Sequence, residues 1–204
     1  MADITTTAGR PAAPRALFLR RFLKRKTVAA GLIVLAIFVL LAVLAPWIAP
    51  YSPSKLSIVN RLKPPSTLYW FGTDEFGRDI FSRTIYAGRL SLFVGASVVC
   101  LSAVIGVTLG LLAGFFKRLD TPIARLIDAM MAFPDILLAI ALVAALGPSL
   151  ATVVVALSIV YAPRLARIVR ASTLVIRELP YVEAARALGI STWHIMTRHV
   201  LRNL

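Results

Sequence analysis

The sequence predicts an all-α protein, a polytopic bundle of membrane-spanning helices, and three observations carry that prediction. Of its 204 residues 59% are hydrophobic and only 16% charged, with a mean hydropathy of +0.83. That balance excludes disorder and argues against a water-soluble fold. Uncharged runs recur at the length that crosses a hydrocarbon core, roughly 20 residues at 1.5 Å each. The 23 Lys and Arg, against 9 Asp and Glu, give a net charge of +14, and they cluster between the runs. The single cysteine, Cys100, excludes an intrachain disulfide, and with His194 and His199 it cannot complete a four-ligand zinc site.

The first span is expected over residues 27–49. Its dense part, Val28 to Ile48, holds 13 Leu, Ile, Val or Phe residues, which favour insertion by about 4 to 8 kcal/mol before other costs. A secretory signal peptide is the rival reading, because Arg20, Arg21, Lys24, Arg25 and Lys26 precede the run. The run exceeds the usual length of such a signal, which favours a retained helix. Trp47 and Tyr51 then mark the far interface. Residues 90–116 form a second uncharged run of 27 residues. A third apolar region follows Asp128, and Gly147-Pro148 divides it into spans over 129–147 and 149–163.

Charge orients these four spans. Seven Lys or Arg precede the first span, three lie in the 117–128 loop and seven follow Pro163, together 17 of the 23. The intervening segment, residues 50–88, carries five, partly offset by Asp74, Glu75 and Asp79. The positive-inside rule therefore places the basic tail of residues 1–26, the short loop and the carboxyl-terminal segment in the cytoplasm. The basicity is thus accounted for by topology, without nucleic-acid binding.

Several patterns are candidates for function. Ser102, Gly106, Gly110 and Gly114 recur every four residues, a spacing that lets two helix backbones approach closely in lipid. Tight static packing is the simpler reading of this stripe, a moving interface the alternative. Between Gly72 and Arg89, Ile80, Phe81, Thr84 and Ile85 suggest a short amphipathic helix at the outer interface. Asp135 follows Pro134 and fits the first turn of a helix, although an intramembrane carboxylate also marks a functional candidate. Cys100 reads as a small buried apolar side chain. His194 and His199, five apart, do not share a helix face as metal ligands do.

The carboxyl-terminal segment is richer. Arg164, Arg167 and Arg170 continue the fourth span into water at helical intervals. Pro180 opens a helix through Glu183, Ala184, Ala185 and Leu188, Gly189 stops it, and Ser191 caps another containing Trp193, Ile195, Met196 and Val200. Such an amphipathic pair outside the membrane needs a surface for its apolar side, whether a partner or the membrane itself.

Glu183-Ala184-Ala185, then Gly189 after three residues, and His199-Val200-Leu201 resemble the EAA loop of permease subunits in bacterial ABC importers, here spanning about 178–203. The run from Phe71 through Gly72, Thr73, Asp74, Gly77, Arg78 and Asp79 to Arg83, with Gly88-Arg89-Leu90 after it, is similar to the C-type permease of the dipeptide, oligopeptide and nickel group. The resemblance extends from about Leu17 onward and implies an amino-terminal permease region near 15–67 and an ABC type-1 transmembrane domain over 89–204. It implies six spans, of which four fall within these residues, so an incomplete permease is expected. The family pattern has proline where this chain has Arg202.

The resemblance also implies a role: moving di- or oligopeptides, or nickel, across the bacterial inner membrane, with the amino terminus cytoplasmic. The partners it implies are a homologous second permease, two cytoplasmic ATPase subunits and an extracytoplasmic substrate-binding protein. Carried over by position, Glu183, Ala184, Ala185, Gly189, His199 and Leu201 are the ATPase-coupling residues. The chain contains no G-x-x-x-x-G-K-[ST] phosphate loop. It is therefore expected to be no enzyme and to bind no cofactor itself, with ATP and Mg²⁺ held by the ATPase partners. An alternative is a non-transporting assembly or sensor subunit that uses the same helix pair to bind another protein.

Overall fold

The structure, a computed structural model, describes residues 25–204, so nearly all of the basic tail expected over residues 1–26 lies outside the described residues. The chain divides at Leu92 and Phe93 into two compact units, and each is built from helices.

In the first unit, α1 (Lys26–Val43) is a run of Leu, Ile, Val, Ala and Phe with no breaker except Gly31. At 18 residues it reaches about 27 Å. Its large side chains from Leu32 to Val43 are largely exposed and only Ala42 is buried. A helix apolar all round suits lipid rather than water. Pro46 lacks the N–H that would continue the ladder, and the chain restarts at Leu44 as the single turn α2 (Ala45–Ile48).

The segment that follows is irregular but tightly hydrogen-bonded. Gly72 and Gly77 have φ of +74° and +69°. An added Cβ at Gly77 would lie 1.8 Å from the Ser57 carbonyl oxygen, so only glycine fits this crossing. Asp74 organises the turn: its Oδ1 accepts from the Phe76 and Arg78 N–H groups, both at 2.9 Å, and its Oδ2 from Arg78 Nε at 2.8 Å and from Arg83. Burial pushes the Asp74 carboxyl up, but the backbone donors and the Arg78 guanidinium outweigh it and bring its pKa down to about 2.

The structure differs from the sequence expectation at the start of the second span. No separate amphipathic helix lies over residues 72–89. Instead α3 (Ile80–Phe115) begins at Ile80 and runs 36 residues without interruption. Asp79 closes its amino end by accepting from Ser82 N–H at 2.8 Å. Gly88 alone between Ile80 and Leu90 is a weak breaker, costing a helix about 1 kcal/mol.

In the second unit, the 117–128 segment expected as a loop is the helix α4 (Lys117–Met131). Hydropathy hides it because five charges lower its average, although Ile127 is buried and Ile123 and Met130 half-buried along one side. The chain then breaks at Ala132–Pro134, where the residue before a proline avoids helical backbone. It resumes as α5 (Asp135–Leu146), bent 95° from α4. The span expected over 129–147 is therefore a bent pair rather than one straight helix, since 12 residues reach only about 18 Å. Gly147, with φ +90°, turns the chain. Ser149 then caps α6 (Leu150–Ile176) by accepting from Thr152 N–H at 3.0 Å. The fourth span, expected to end at residue 163, passes through Pro163 to 27 residues.

Candidate functional site

The carboxyl-terminal segment folds as α7 (Pro180–Ala187), a turn at Gly189, and α8 (Thr192–His194), which runs on as a π-helical turn over Ile195–Val200 and a 3-10 turn over Leu201–Asn203. Local chemistry sets each boundary. Pro180 stands in the first turn of α7, where its missing N–H costs nothing, and Glu183 completes that turn with a charge favourable to the helix dipole. At the other end Gly189 N–H donates to the Arg186 carbonyl at 3.0 Å, and Ile190 N–H to the Ala185 carbonyl at 3.1 Å. This pair of bonds is a Schellman cap. It needs a left-handed residue at the turn, supplied by Gly189 at φ +74°. The spacing from Ala185 to Gly189 is thus a consequence of how this helix ends. Ser191 accepts from His194 N–H at 3.4 Å to start α8.

The pair has two faces with different fates. Val182, Ala185, Ile195, Met196 and Val200 are buried together with Leu111 of α3 and with Val169 and Ile176 of α6. The apolar side that the sequence left in need of a cover is therefore seated on the chain's own helices. Polar ties reinforce the seat. Arg177, in the turn before α7, donates from Nη1 to the Gly114 carbonyl at 2.7 Å, satisfying one of the last carbonyls of α3 with a cation at the helix C-terminus. The Arg186 guanidinium lies 5.3 Å from the Phe115 ring centroid. Asn203 Nδ2 donates to the His199 carbonyl at 2.7 Å and to the Tyr181 hydroxyl at 3.3 Å, closing the two halves on each other.

The opposite face remains open. Leu188 is 80% and Trp193 70% exposed, with Ile190 and Leu201 also exposed. Glu183, Ala184 and Gly189 are exposed as well, whereas Ala185 is buried and His199 half-buried. The six expected coupling residues therefore do not share one environment. Glu183, Ala184, Gly189 and Leu201 can meet another molecule, and Ala185 holds the pair to the bundle. The His199 ring lies 6.1 Å from Tyr181 and 6.3 Å from His194 by centroids. Among the described residues no three His, Cys, Asp or Glu side chains gather as a metal-ligand set.

Beneath the pair, α3 and α6 are in backbone contact. A Cβ built on Gly106 would meet the Ala162 carbonyl oxygen at 2.9 Å, on Gly110 the Ala166 oxygen and Val169 Cβ at 2.6 Å, and on Gly114 Thr173 Cβ at 2.5 Å. Ser102 behaves differently, its hydroxyl turning back to the Val99 carbonyl at 3.2 Å. One group of residues escaped the sequence reading. Arg164, Arg167 and Arg170 do not simply run into water but pair with Asp135, Asp128 and Asp120. The ladder fastens α4 and α5 to α6, and its signal was the matching order of three acids and three arginines along antiparallel segments.

Comparison with known proteins follows the same division of the chain. Residues 106–204 match the family described as binding-protein-dependent transport system inner membrane component, and residues 14–65 match the N-terminal TM domain of oligopeptide transport permease C. A putative peptide transport system permease protein of Brucella suis is 50% identical over 190 residues, 93% of this chain and 64% of the relative. A dipeptide transport system permease protein of Alkalihalophilus pseudofirmus is 45% identical over 181 residues, 88% and 60% of the two chains. A glutathione transport system permease protein of Pectobacterium atrosepticum is 46% identical over 187 residues, 90% and 62%. The chain thus spans somewhat less than two thirds of the relatives it matches.

Proposed function

Because this chain belongs to the family of binding-protein-dependent transport inner-membrane components, with the amino-terminal region of the oligopeptide C type, we propose that it is a permease subunit of an ATP-driven importer of small peptides. The reading takes it as a multi-pass inner-membrane protein with its amino terminus and helix pair in the cytoplasm. A second, homologous permease shares the translocation path, two ATPase subunits supply ATP and Mg²⁺ chemistry, and an extracytoplasmic binding protein delivers the peptide.

The single observation that supports this reading best is the two-faced seating of the carboxyl-terminal helix pair. Its inner face, Val182, Ala185, Ile195, Met196 and Val200, shares one core with α3 and α6. Its outer face presents Leu188 and Trp193, the kind of aromatic and aliphatic anchors that fill a pocket on a partner. A displacement applied at the outer face passes to the spans as a rigid-body movement, because a packed core shifts between discrete arrangements rather than deforming smoothly. The glycine contacts of α3 with α6 carry the movement along both helices, and the arginine ladder carries α4 and α5 with them.

Replacing Gly189 with valine tests this. A β-branched side chain in the left-handed region costs about 1–2 kcal/mol or more, enough to open the Schellman cap and move Leu188 and Ile190, while the spans still insert. Co-purification with the ATPase subunits should fall about tenfold at unchanged membrane abundance. Unchanged co-purification would remove the coupling role.

A further inference from the structure

The helix α4 carries a surface of its own, apart from the carboxyl-terminal pair. It stands between two apolar helices: only Phe116 separates it from the end of α3, and α5 resumes after Pro134 at 95° to it. Its charges, Lys117, Arg118, Asp120, Arg125 and Asp128, keep α4 itself out of the hydrocarbon core. A short charged helix tied at both ends to lipid-entering helices runs along the membrane surface.

The sides of α4 differ in kind. One is packed, with Ile127 buried and Ile123 and Met130 half-buried. On the next side round the helix stand Leu119 and Leu126, two turns apart and 40% and 54% exposed. Beyond them come Arg118 and Arg125, again two turns apart and exposed. Phe116 and Phe133, both exposed, flank the helix. The acids of α4 are already engaged, Asp120 by Arg170 and Asp128 by Arg167 of α6. Lys117, Arg118 and Arg125 are in no ion pair among the described residues. The free charge of this surface is therefore purely cationic.

We propose that this surface of α4 docks on anionic phospholipid headgroups, with Arg118 and Arg125 at the phosphates and Leu119 and Leu126 in the acyl boundary beside them. The order of the sides selects the partner. Packed, then aliphatic, then basic is the sequence an interfacial helix needs as it passes from its own bundle through the acyl boundary to the phosphate layer. The long arginine stems let the guanidinium groups reach that layer while the leucines stay below it. Each guanidinium offers a phosphate two parallel donors, and the free cations add attraction that a zwitterionic headgroup does not return. The docking requires only that the helices on either side enter lipid, so it is independent of the transport reading.

The full chain with Cys100→Ser and Ala129→Cys tests this, because Ala129 is exposed one turn beyond Arg125 and its new thiol can carry a nitrobenzoxadiazole fluorophore. In phosphatidylcholine vesicles, nitroxide-labelled phosphatidylglycerol and nitroxide-labelled phosphatidylcholine are compared as quenchers at equal mole fraction. Both should quench, with the anionic lipid associating about tenfold more strongly and the preference shrinking as salt is added. Arg118→Gln with Arg125→Gln should bring the ratio to about one. Unchanged quenching by phosphatidylcholine in that variant shows α4 still seated. Arg61→Gln with Lys63→Gln, in the first unit, should leave the ratio as it was. Equal quenching by the two lipids with both arginines present, or a preference that survives their replacement, overturns the proposal. So does the absence of quenching by either lipid, which would put water or another protein against α4.

Discussion

Arg170 grips Asp120 with two nitrogens, Nε on Oδ1 and Nη2 on Oδ2 at 3.0 Å, across 50 residues of sequence. This bidentate pair joins α6 to the first turn of α4, and both side chains are about two-thirds or more buried. The next rung, Arg167 with Asp128, makes one contact at 2.5 Å between side chains that are 52% and 67% exposed. Geometry and burial therefore predict unequal strengths along one ladder. An exposed single contact contributes about 0–1 kcal/mol, while a fork-to-fork pair shielded from water contributes more.

A double-mutant cycle measures this directly. The coupling between Arg170→Ala and Asp120→Ala in thermal unfolding of the detergent-solubilised chain should exceed that between Arg167→Ala and Asp128→Ala by about 1 kcal/mol. Equal couplings would show that the ladder acts only through general charge.

The glycine contacts offer a contrast within one residue type. Gly110→Ala drives a methyl into the Ala166 carbonyl oxygen and Val169, each 2.6 Å from the new Cβ. Separating α3 from α6 should cost about 1–3 kcal/mol. Gly31→Ala in α1 meets nothing within 4 Å, and should leave stability unchanged or raise it by about 0.5–1 kcal/mol. Similar losses at both positions would contradict close packing of α3 on α6.

The Asp74 turn carries a pH signature. Its carboxyl sits at about 2 against an ordinary 3.8, so the folded turn binds a proton later than the unfolded chain. A depressed carboxylate stabilises fully above the ordinary value and loses that contribution as pH falls through the folded one. Hydrogen exchange at the Phe76 and Arg78 amides should therefore be constant from pH 7 to about 4, after correction for intrinsic rates, and quicken between about 4 and 2. Loosening already at pH 6 would mean that another group controls the turn.

Much of the architecture is legible in the sequence because lipid imposes simple rules. Uncharged runs mark α1, α3 and α6, while Gly147 and Gly189 mark turns whose positive φ favours glycine and Ser191 marks a helix start that its hydroxyl caps. What escapes notice is whatever depends on pairing between distant segments. Hydropathy takes α4 for a loop because Lys117, Arg118, Asp120, Arg125 and Asp128 dominate its average, although their spacing leaves an apolar stripe. Arg164, Arg167 and Arg170 look like residues bound for water because their acidic partners lie 29 to 50 residues away. The helix pair suggests a need for an outside surface, since nothing local reveals that Leu111 and Val169 already provide one. The exposure of Glu183, Ala184 and Gly189 and the burial of Ala185 follow from that docking.

The central claim is that the outer face of the helix pair is open to the cytoplasm, where a motor subunit can grip it. With Cys100 changed to serine, a single cysteine placed at Trp193 should react with a membrane-impermeant maleimide in inverted membrane vesicles and stay protected in intact cells. Labelling of that cysteine from outside intact cells would contradict the account.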